Sequence, residues 1–340
     1  MMYGIYLRLR HLFYDKGWKK SFTAAVPTVC VGNVTVGGTG KTPHVELILR
    51  LLRSDTWAFR HLAVLSRGYK RKSKGFQVVR PDSTAAFAGD EPLQVARKFP
   101  DVTVAVDANR VRGCTILTAG GEIPQADAIV LDDAFQYRKL NARLNILLVD
   151  YNRPVFKDRL LPWGRLRDLP SRLKAAHVIV VTKCPAALSD WERQQWRAQL
   201  RLREEQRLFF TTVSYGTPAP VFPDADPRYT YAKRLVLVSG IANDAPLRSY
   251  LSDAYKITRR LAFPDHHRYT KGDLRAIRRA IREQPTACIM TTEKDAQRLR
   301  DVPDVPAEIR QRLFCLPIQA TFLQPEDENA FREVLLAALQ

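Results

Sequence analysis

The 340-residue sequence has no C-x-x-C pair, no run of roughly 20 apolar residues of the length a membrane span needs, no internal repeat and no low-complexity tract. Its five cysteines (Cys30, Cys114, Cys184, Cys288 and Cys315) are scattered. That scatter excludes a zinc pattern and a disulfide framework, and fits small core residues in a reducing compartment. In the N-terminal stretch MMYGIYLRLRHLFYDKGWKK, Arg8, Arg10 and His11 break the apolar run, so it reads neither as a secretory signal nor as a transmembrane span. Acidic residues are also scarce: 35 Asp and Glu stand against 54 Lys and Arg, a net charge of +19. Such an excess implies an anionic partner, whether nucleic acid, a phosphorylated substrate or an anionic membrane surface.

What is present is ample apolar material, 46% of the chain, enough for packed cores and for two α/β domains. Short Val-, Ile- and Leu-rich runs alternate with helical patterns, as in a parallel sheet covered on both faces. The runs are Thr28–Val31, Leu62–Leu65, Val102–Val106, Ala128–Leu131, Leu144–Val149, Val178–Val181, Leu208–Val213, Leu235–Val238 and Ala287–Thr291. The proline-dense segment GTPAPVFPDADP (216–227) breaks this rhythm and marks a boundary. The expected architecture is α/β: an N-terminal segment 1–22, a P-loop NTPase-like core with a mostly parallel sheet over 23–217, and a smaller α/β domain over 218–340. In the N-terminal segment, Ile5, Leu9, Leu12 and Phe13 follow helical spacing among Arg8, Arg10, Lys16, Lys19 and Lys20, with Trp18 near the end. Two placements fit: a helix resting on an anionic membrane, or a helix docked on its own domain.

The stretch VGNVTVGGTGKTP (31–43) follows a strand and precedes a helix whose Val45, Ile48, Leu49 and Leu52 share one face. That is the order a phosphate cradle requires. Gly37, Gly38 and Gly40, with Thr39 among them, let backbone N–H groups turn toward phosphate oxygens. Lys41 reaches the β/γ oxygens, and the Thr42 hydroxyl suits Mg²⁺. Against the general pattern G-x-x-x-x-G-K-[ST], the early glycine is missing, because Thr35 stands there.

Five further segments carry chemistry. AIVLDDAFQ (128–136) ends a strand with Asp132 and Asp133, placed to orient a metal, although strand-end turns favour Asp in any case. AGDEPLQVA (88–96) sets Asp90 and Glu91 at a helix start, where Asp90 also suits simple N-capping. FPDHHRY (263–269) groups Asp265, His266 and His267; a histidine bonded to a carboxylate can deprotonate a sugar hydroxyl. LSRGYKRK (65–72) and LLPWGRLRD (160–168) offer arginines, Arg67 and Arg167 among them, of the kind that grip phosphates in pairs of hydrogen bonds.

In order, VGNVTVGGTGKTP, LSRGY, GDEP, DDAFQ, LLPWGRLRD, VSGIA (238–242), FPDHH and MTTEKDA (290–296) resemble the tetraacyldisaccharide 4′-kinase family, the lipid A 4′-kinases of Gram-negative bacteria. The resemblance spans residues 26 to 298. It implies ATP-dependent phosphorylation of the 4′-hydroxyl of a tetraacylated glucosamine disaccharide 1-phosphate, giving lipid IVA. The reaction would take place at the cytoplasmic face of the inner membrane, in a cleft between two α/β domains. By motif, Lys41 and Thr42 would bind phosphates and Mg²⁺, with Asp132 and Asp133 organising the metal end. Asp90 and His266 would activate the hydroxyl as base and orienting partner. Glu91, Gln136, Arg67, Arg167 and Asp168 would support the site, and Asp265 would hold His266. The family's shifted loop, G-N-x-x-x-G-G-x-G-K-T-P, puts Gly32 in the place of the early glycine.

Three positions depart from the family pattern: Ala134 and Tyr137 replace its usual glycine and histidine, and Asp168 stands where Glu is common. In place of a hydrophobic membrane helix there is a short basic amphipathic segment, which implies peripheral or monotopic attachment. No obligate protein partner is implied. A GTPase switch is disfavoured because VVTKCP (180–185) lacks the Asn and Asp of a guanine-reading N-K-x-D. A nucleic-acid binder is disfavoured by the absence of a recognition module or of patterned stacking aromatics.

Overall fold

All nine apolar runs become strands, and several, such as those at 28–32, 62–66, 128–132 and 178–182, are buried along their whole length. The computed structural model describes residues 2–54 and 59–340. Its main strands are β1 (Thr28–Gly32), β2 (Leu62–Ser66), β3 (Gln77–Val79), β4 (Thr103–Val106), β5 (Ala128–Asp132), β6 (Leu144–Asp150), β7 (Val178–Thr182), β8 (Arg207–Tyr215), β9 (Arg234–Ser239), β10 (Lys256–Ala262), β11 (Cys288–Thr292), β12 (Leu313–Leu316) and β13 (Ile318–Phe322). The principal helices are α1 (Met2–Asp15), α2 (Lys41–Arg53), α3 (Asp90–Lys98), α4 (Arg110–Ala119), α5 (Asp190–Leu200), α6 (Ala245–Ala254), α7 (Lys271–Glu283), α8 (Glu293–Arg300) and α9 (Pro325–Leu339).

Nine strands form one sheet in the order β13-β8-β7-β6-β1-β5-β2-β4-β3. It is parallel from β8 to β4, with antiparallel strands at both edges. Strand β1 lies between β5 and β6, with Val31 opposite Asp132 and Gly32 opposite Leu147. The strand order reverses there, so the carboxyl end of β1 opens on the crevice where α/β sheets bind ligands. Behind that end α2 buries Val45, Ile48, Leu49 and Leu52 in a core shared with Phe331 and Leu335 of α9.

A second sheet orders Ala219–Pro220, β12, β11, β9 and β10, parallel apart from its short first strand. The expected smaller unit, 218–340, keeps to this sheet only as far as Leu316. Pro317, which cannot donate to a ladder, separates β12 from β13, and β13 pairs antiparallel with β8 in the large sheet. Several strands escaped the sequence reading. Among them are β10 (KITRRLA), a charged edge strand, and β12 and β13, which are short and parted by Pro317.

The two sheets meet where α3 packs on α8. Lys98 at the end of α3 lies 2.8 Å from Glu46 Oε2 of α2 and 2.5 Å from Glu293 Oε1 of α8. Gln94 donates to Glu46 at 2.7 Å, and Glu293 accepts the Ile318 N–H at 3.1 Å. Burial disfavours charge on Glu46 and raises its pKa, and Lys98 opposes that rise.

Candidate active site

The loop after β1 is shaped to receive an anion. Gly37 (φ 107°) and Gly40 (φ 87°) adopt backbone that L side chains rarely tolerate. The space a side chain would fill at Gly37 and Gly38 is open. Gly40 begins α2 without a side-chain cap, so first-turn N–H groups are left for a ligand, and no acidic residue occupies that turn. Thr39 is held from behind by Asn33 Nδ2 at 2.7 Å. Thr35, the residue in the place of the missing glycine, bridges to Leu166 instead. Gly32 has a different duty from a phosphate-loop glycine. It ends β1, and a Cβ there would lie 2.5 Å from the Phe135 Cβ. Gly32 therefore lets the loop carrying Asp132 and Asp133 close on the phosphate loop.

Asp132 ends β5 and accepts from Ser66 Oγ at 3.0 Å through Oδ2. Its Oδ1 is buried without a partner among the described residues. Burial raises its pKa, and Glu91 and Asp133 raise it further. Asp133 (φ 52°) is opposite in character. Although burial acts to raise it, Lys41, Arg167 and Arg110 hold its carboxyl below the usual range. Lys41 Nζ stands 3.8 Å from Asp133 Oδ1, and Arg167 Nη1 donates to Oδ2 at 3.0 Å. Arg167 also reaches Asn33, whose carbonyl accepts from Gln136 Nε2 at 2.5 Å. A bare carboxylate oxygen and a threonine hydroxyl are both hard-oxygen donors of the kind that suits Mg²⁺. No cluster of three or more His, Cys, Asp or Glu forms a complete cage among the described residues.

Across the crevice, the 176-residue sequence gap between GDEP and FPDHH closes. His266 Nδ1 lies 3.2 Å from Asp90 Oδ2. Asp90 opens α3, where the helix dipole favours a carboxylate. It is nearly buried, and its Oδ2 also accepts from Arg298 Nε at 3.1 Å and from Nη2. Burial would raise its pKa, but the bond to His266 and the charges of Arg298 and Lys294 hold it well below the carboxylate range. His266 (φ 60°) packs edge-on against Tyr69, with ring centroids 5.4 Å apart. Asp265 is exposed and only 3.8 Å from His266 Nε2, an ion-pair distance and no hydrogen bond. His267 turns away to Asp273 at 3.0 Å.

The remaining expected residues divide. Glu91 pairs with Lys294 and adds to the negative field at Asp132. Arg67 is exposed near Arg110. Asp168 is fully buried and bonds His11 Nε2 of α1 at 2.6 Å. Tyr137 donates to Asn109 at 3.1 Å and lies under Arg110, 5.7 Å from its ring centroid.

Sequence reading gave no role to Arg298, Lys294, Arg110 or Lys183. The first two were accessible in principle. Thr292 caps α8 through the Asp295 N–H, and positions 294 and 298 then fall on one helical face, toward Asp90 and Glu91.

The whole chain, residues 1–340, matches the family model described as tetraacyldisaccharide-1-P 4′-kinase. A protein of Parabacteroides distasonis named tetraacyldisaccharide 4′-kinase is 43% identical over 98% of this chain and 91% of its own length. Another of the same name, from Phocaeicola vulgatus, is 41% identical over 96% of this chain and 90% of its own. Among solved structures, LpxK from Aquifex aeolicus in complex with ATP superposes with a TM-score of 0.75 at 26% identity, covering 100% of this chain and 96% of that one.

Proposed function

This chain belongs to the tetraacyldisaccharide-1-P 4′-kinase family, and from that premise we infer that it transfers the γ-phosphoryl group of ATP to the 4′-hydroxyl of a tetraacyldisaccharide 1-phosphate, a step in lipid A biosynthesis. The observation that carries the reading is the pairing of an open, uncapped glycine loop with the bare Asp132 oxygen, facing the Asp90–His266 pair.

Phosphoryl transfer is chiefly positioning and charge stabilisation. The Gly37–Thr42 loop and Lys41 would hold the triphosphate. Thr42, Asp132 and Asp133 would hold Mg²⁺, which supplies charge neutralisation at the β and γ oxygens when bound. Once a triphosphate competes for Lys41, its 3.8 Å link to Asp133 is released toward the phosphates. Arg167 keeps Asp133 and Asn33 in place. Asp90 is saturated by Arg298 and accepts the Nδ1 proton of His266, which fixes the tautomer. His266 Nε2 makes no hydrogen bond among the described residues and is the nitrogen free to take the sugar proton.

Membrane attachment through α1 is the second part of the reading. The helix docks by Leu7 and His11, by Tyr3 Oη to the Arg167 carbonyl at 2.7 Å, and by Arg10 to the Gln136 carbonyl at 2.6 Å. Ile5, Leu9, Leu12 and Phe13, the apolar stripe of the sequence, remain exposed, as do Met2, Tyr6 and Trp18. No helix among the described residues is long and apolar enough to cross a membrane. An exposed apolar stripe on a basic chain supports a helix resting in the headgroup layer. The substrate's acyl chains require it, since each CH₂ drawn into water costs about 0.8 kcal/mol. The decisive experiment incubates the purified protein with labelled ATP and detergent-dispersed disaccharide 1-phosphate. A bisphosphorylated product is expected; ATP hydrolysis without it would sink the acceptor assignment.

A further inference from the structure

The segment VVTKCP, which fails as a guanine-reading motif, has a place at the back of the phosphate loop. Three consecutive loop carbonyls each meet a side-chain donor there. Gly38 O accepts from Lys183 Nζ, Thr39 O from Thr182 Oγ1 at 3.0 Å, and Gly40 O from His44 Nδ1 at 2.8 Å. Each donor is fixed in turn. Lys183 Nζ lies 2.6 Å from Asp150 Oδ2 at the end of β6. Thr182 ends β7, and His44 Nε2 accepts from Thr211 Oγ1 of β8 at 3.0 Å. A carbonyl oxygen can only accept, so His44 Nδ1 carries the proton it gives to Gly40 O, and Nε2 is left to accept from the Thr211 hydroxyl. Lys183 takes a left-handed backbone (φ 57°), a conformation that costs energy for a side chain of this kind and persists where surroundings impose it.

The consequence follows from peptide geometry. In a planar trans peptide a carbonyl and the next N–H point opposite ways. Holding Thr39 O and Gly40 O to the rear aims the N–H groups of Gly40 and Lys41 at the crevice. Thr39 N–H is already closed on Gly37 O at 3.1 Å, which leaves Lys183 to keep the Gly38 carbonyl dipole away from an incoming anion. A loop with glycine at 37, 38 and 40 has little stiffness of its own to do this. We propose that Lys183 is a positioning residue for phosphoryl transfer, acting with Thr182 and His44 on the loop carbonyls, with its charge balanced by Asp150. The assignment rests on the kinase reading for the reaction it serves. It does not depend on the identity of the acceptor.

The test uses the full chain with Mg²⁺ and two ligands, ATP and inorganic tripolyphosphate, measured by calorimetry beside steady-state kinetics. Lys183→Met should weaken both ligands by the same factor, about tenfold for the loss of a charge-assisted hydrogen bond. KM for the lipid acceptor should stay unchanged. Lys183→Arg should recover most of the affinity, and Asp150→Asn should fall between, which keeps the test open should Lys183→Met not fold. Weakened ATP with unchanged tripolyphosphate would overturn the proposal by placing Lys183 at the nucleoside. Unchanged affinity for both would overturn it outright. Wild-type protein that binds both ligands, with Lys183→Met weakened, yet transfers no phosphate would refute the kinase reading and leave the loop assignment standing.

Discussion

At Asp90 two demands meet in one side chain: it must stay ionised while nearly buried, and it must hold His266. Arg298 makes both possible. Because the folded state holds this carboxyl below its ordinary range, its charge stabilises the fold above about pH 4 and that contribution is lost as pH falls toward the folded value. Asp90→Asn should therefore cost on the order of 3 kcal/mol at neutral pH, as expected for breaking a buried pair. Denaturant titrations should show that gap narrowing below about pH 4; a constant gap would mean the charge is not what stabilises. In turnover, His266→Ala should lower kcat by about 100-fold or more with little change in KM for ATP. Near-normal kcat would remove His266 from the proton path. Gly32→Ala should cost about 1–3 kcal/mol by overpacking against Phe135, measured by thermal melting. The residues of the site that sequence could reveal were those standing in short motifs at strand ends or helix starts. Arg298 could have been placed on one face of α8 with Lys294, but Lys183 was not legible, because its role depends on where the end of β7 arrives in space. Gly32 was noticed for position and turned out to matter for packing.

Among the elements, α1 carries the clearest division of labour. Sequence periodicity picked out Ile5, Leu9, Leu12 and Phe13 but could not say which way they face. The structure turns them outward and docks the helix through Leu7 and a set of polar contacts centred on His11 and Asp168. Replacing Ile5 and Leu9 together with Glu should reduce cosedimentation with anionic vesicles about tenfold or more, since two apolar side chains are withdrawn and two negative charges added. Activity on detergent-dispersed acceptor should persist. Equal vesicle binding would move the membrane contact elsewhere. β1 was legible because a continuous apolar run buries both its faces, and β10 was not, because its charged residues leave no such run.

For the molecule as a whole, the junction of α2, α3 and α8 decides how the two sheets stand to one another. Lys98 is the one cation between the Glu46 and Glu293 carboxylates among the described contacts. Lys98→Met would leave two carboxylates facing each other near the core, at a cost of about 3 kcal/mol. The melting temperature should fall, and ATP, which binds only the folded state, should restore part of it. The return of the chain after Pro317 has a separate consequence. Gly216 N–H bonds Pro317 O at 2.9 Å, so the outgoing and incoming strands lie side by side. The region between them is thus spliced into the large sheet like a cassette, with both its ends at one doorway. Cutting the chain after residue 217 would strip β13 and α9 from the nucleotide-binding half. Removing 218–316 and joining the neighbouring ends by a short glycine linker would leave that half complete, a protein expected to fold, bind ATP and have no base to use it.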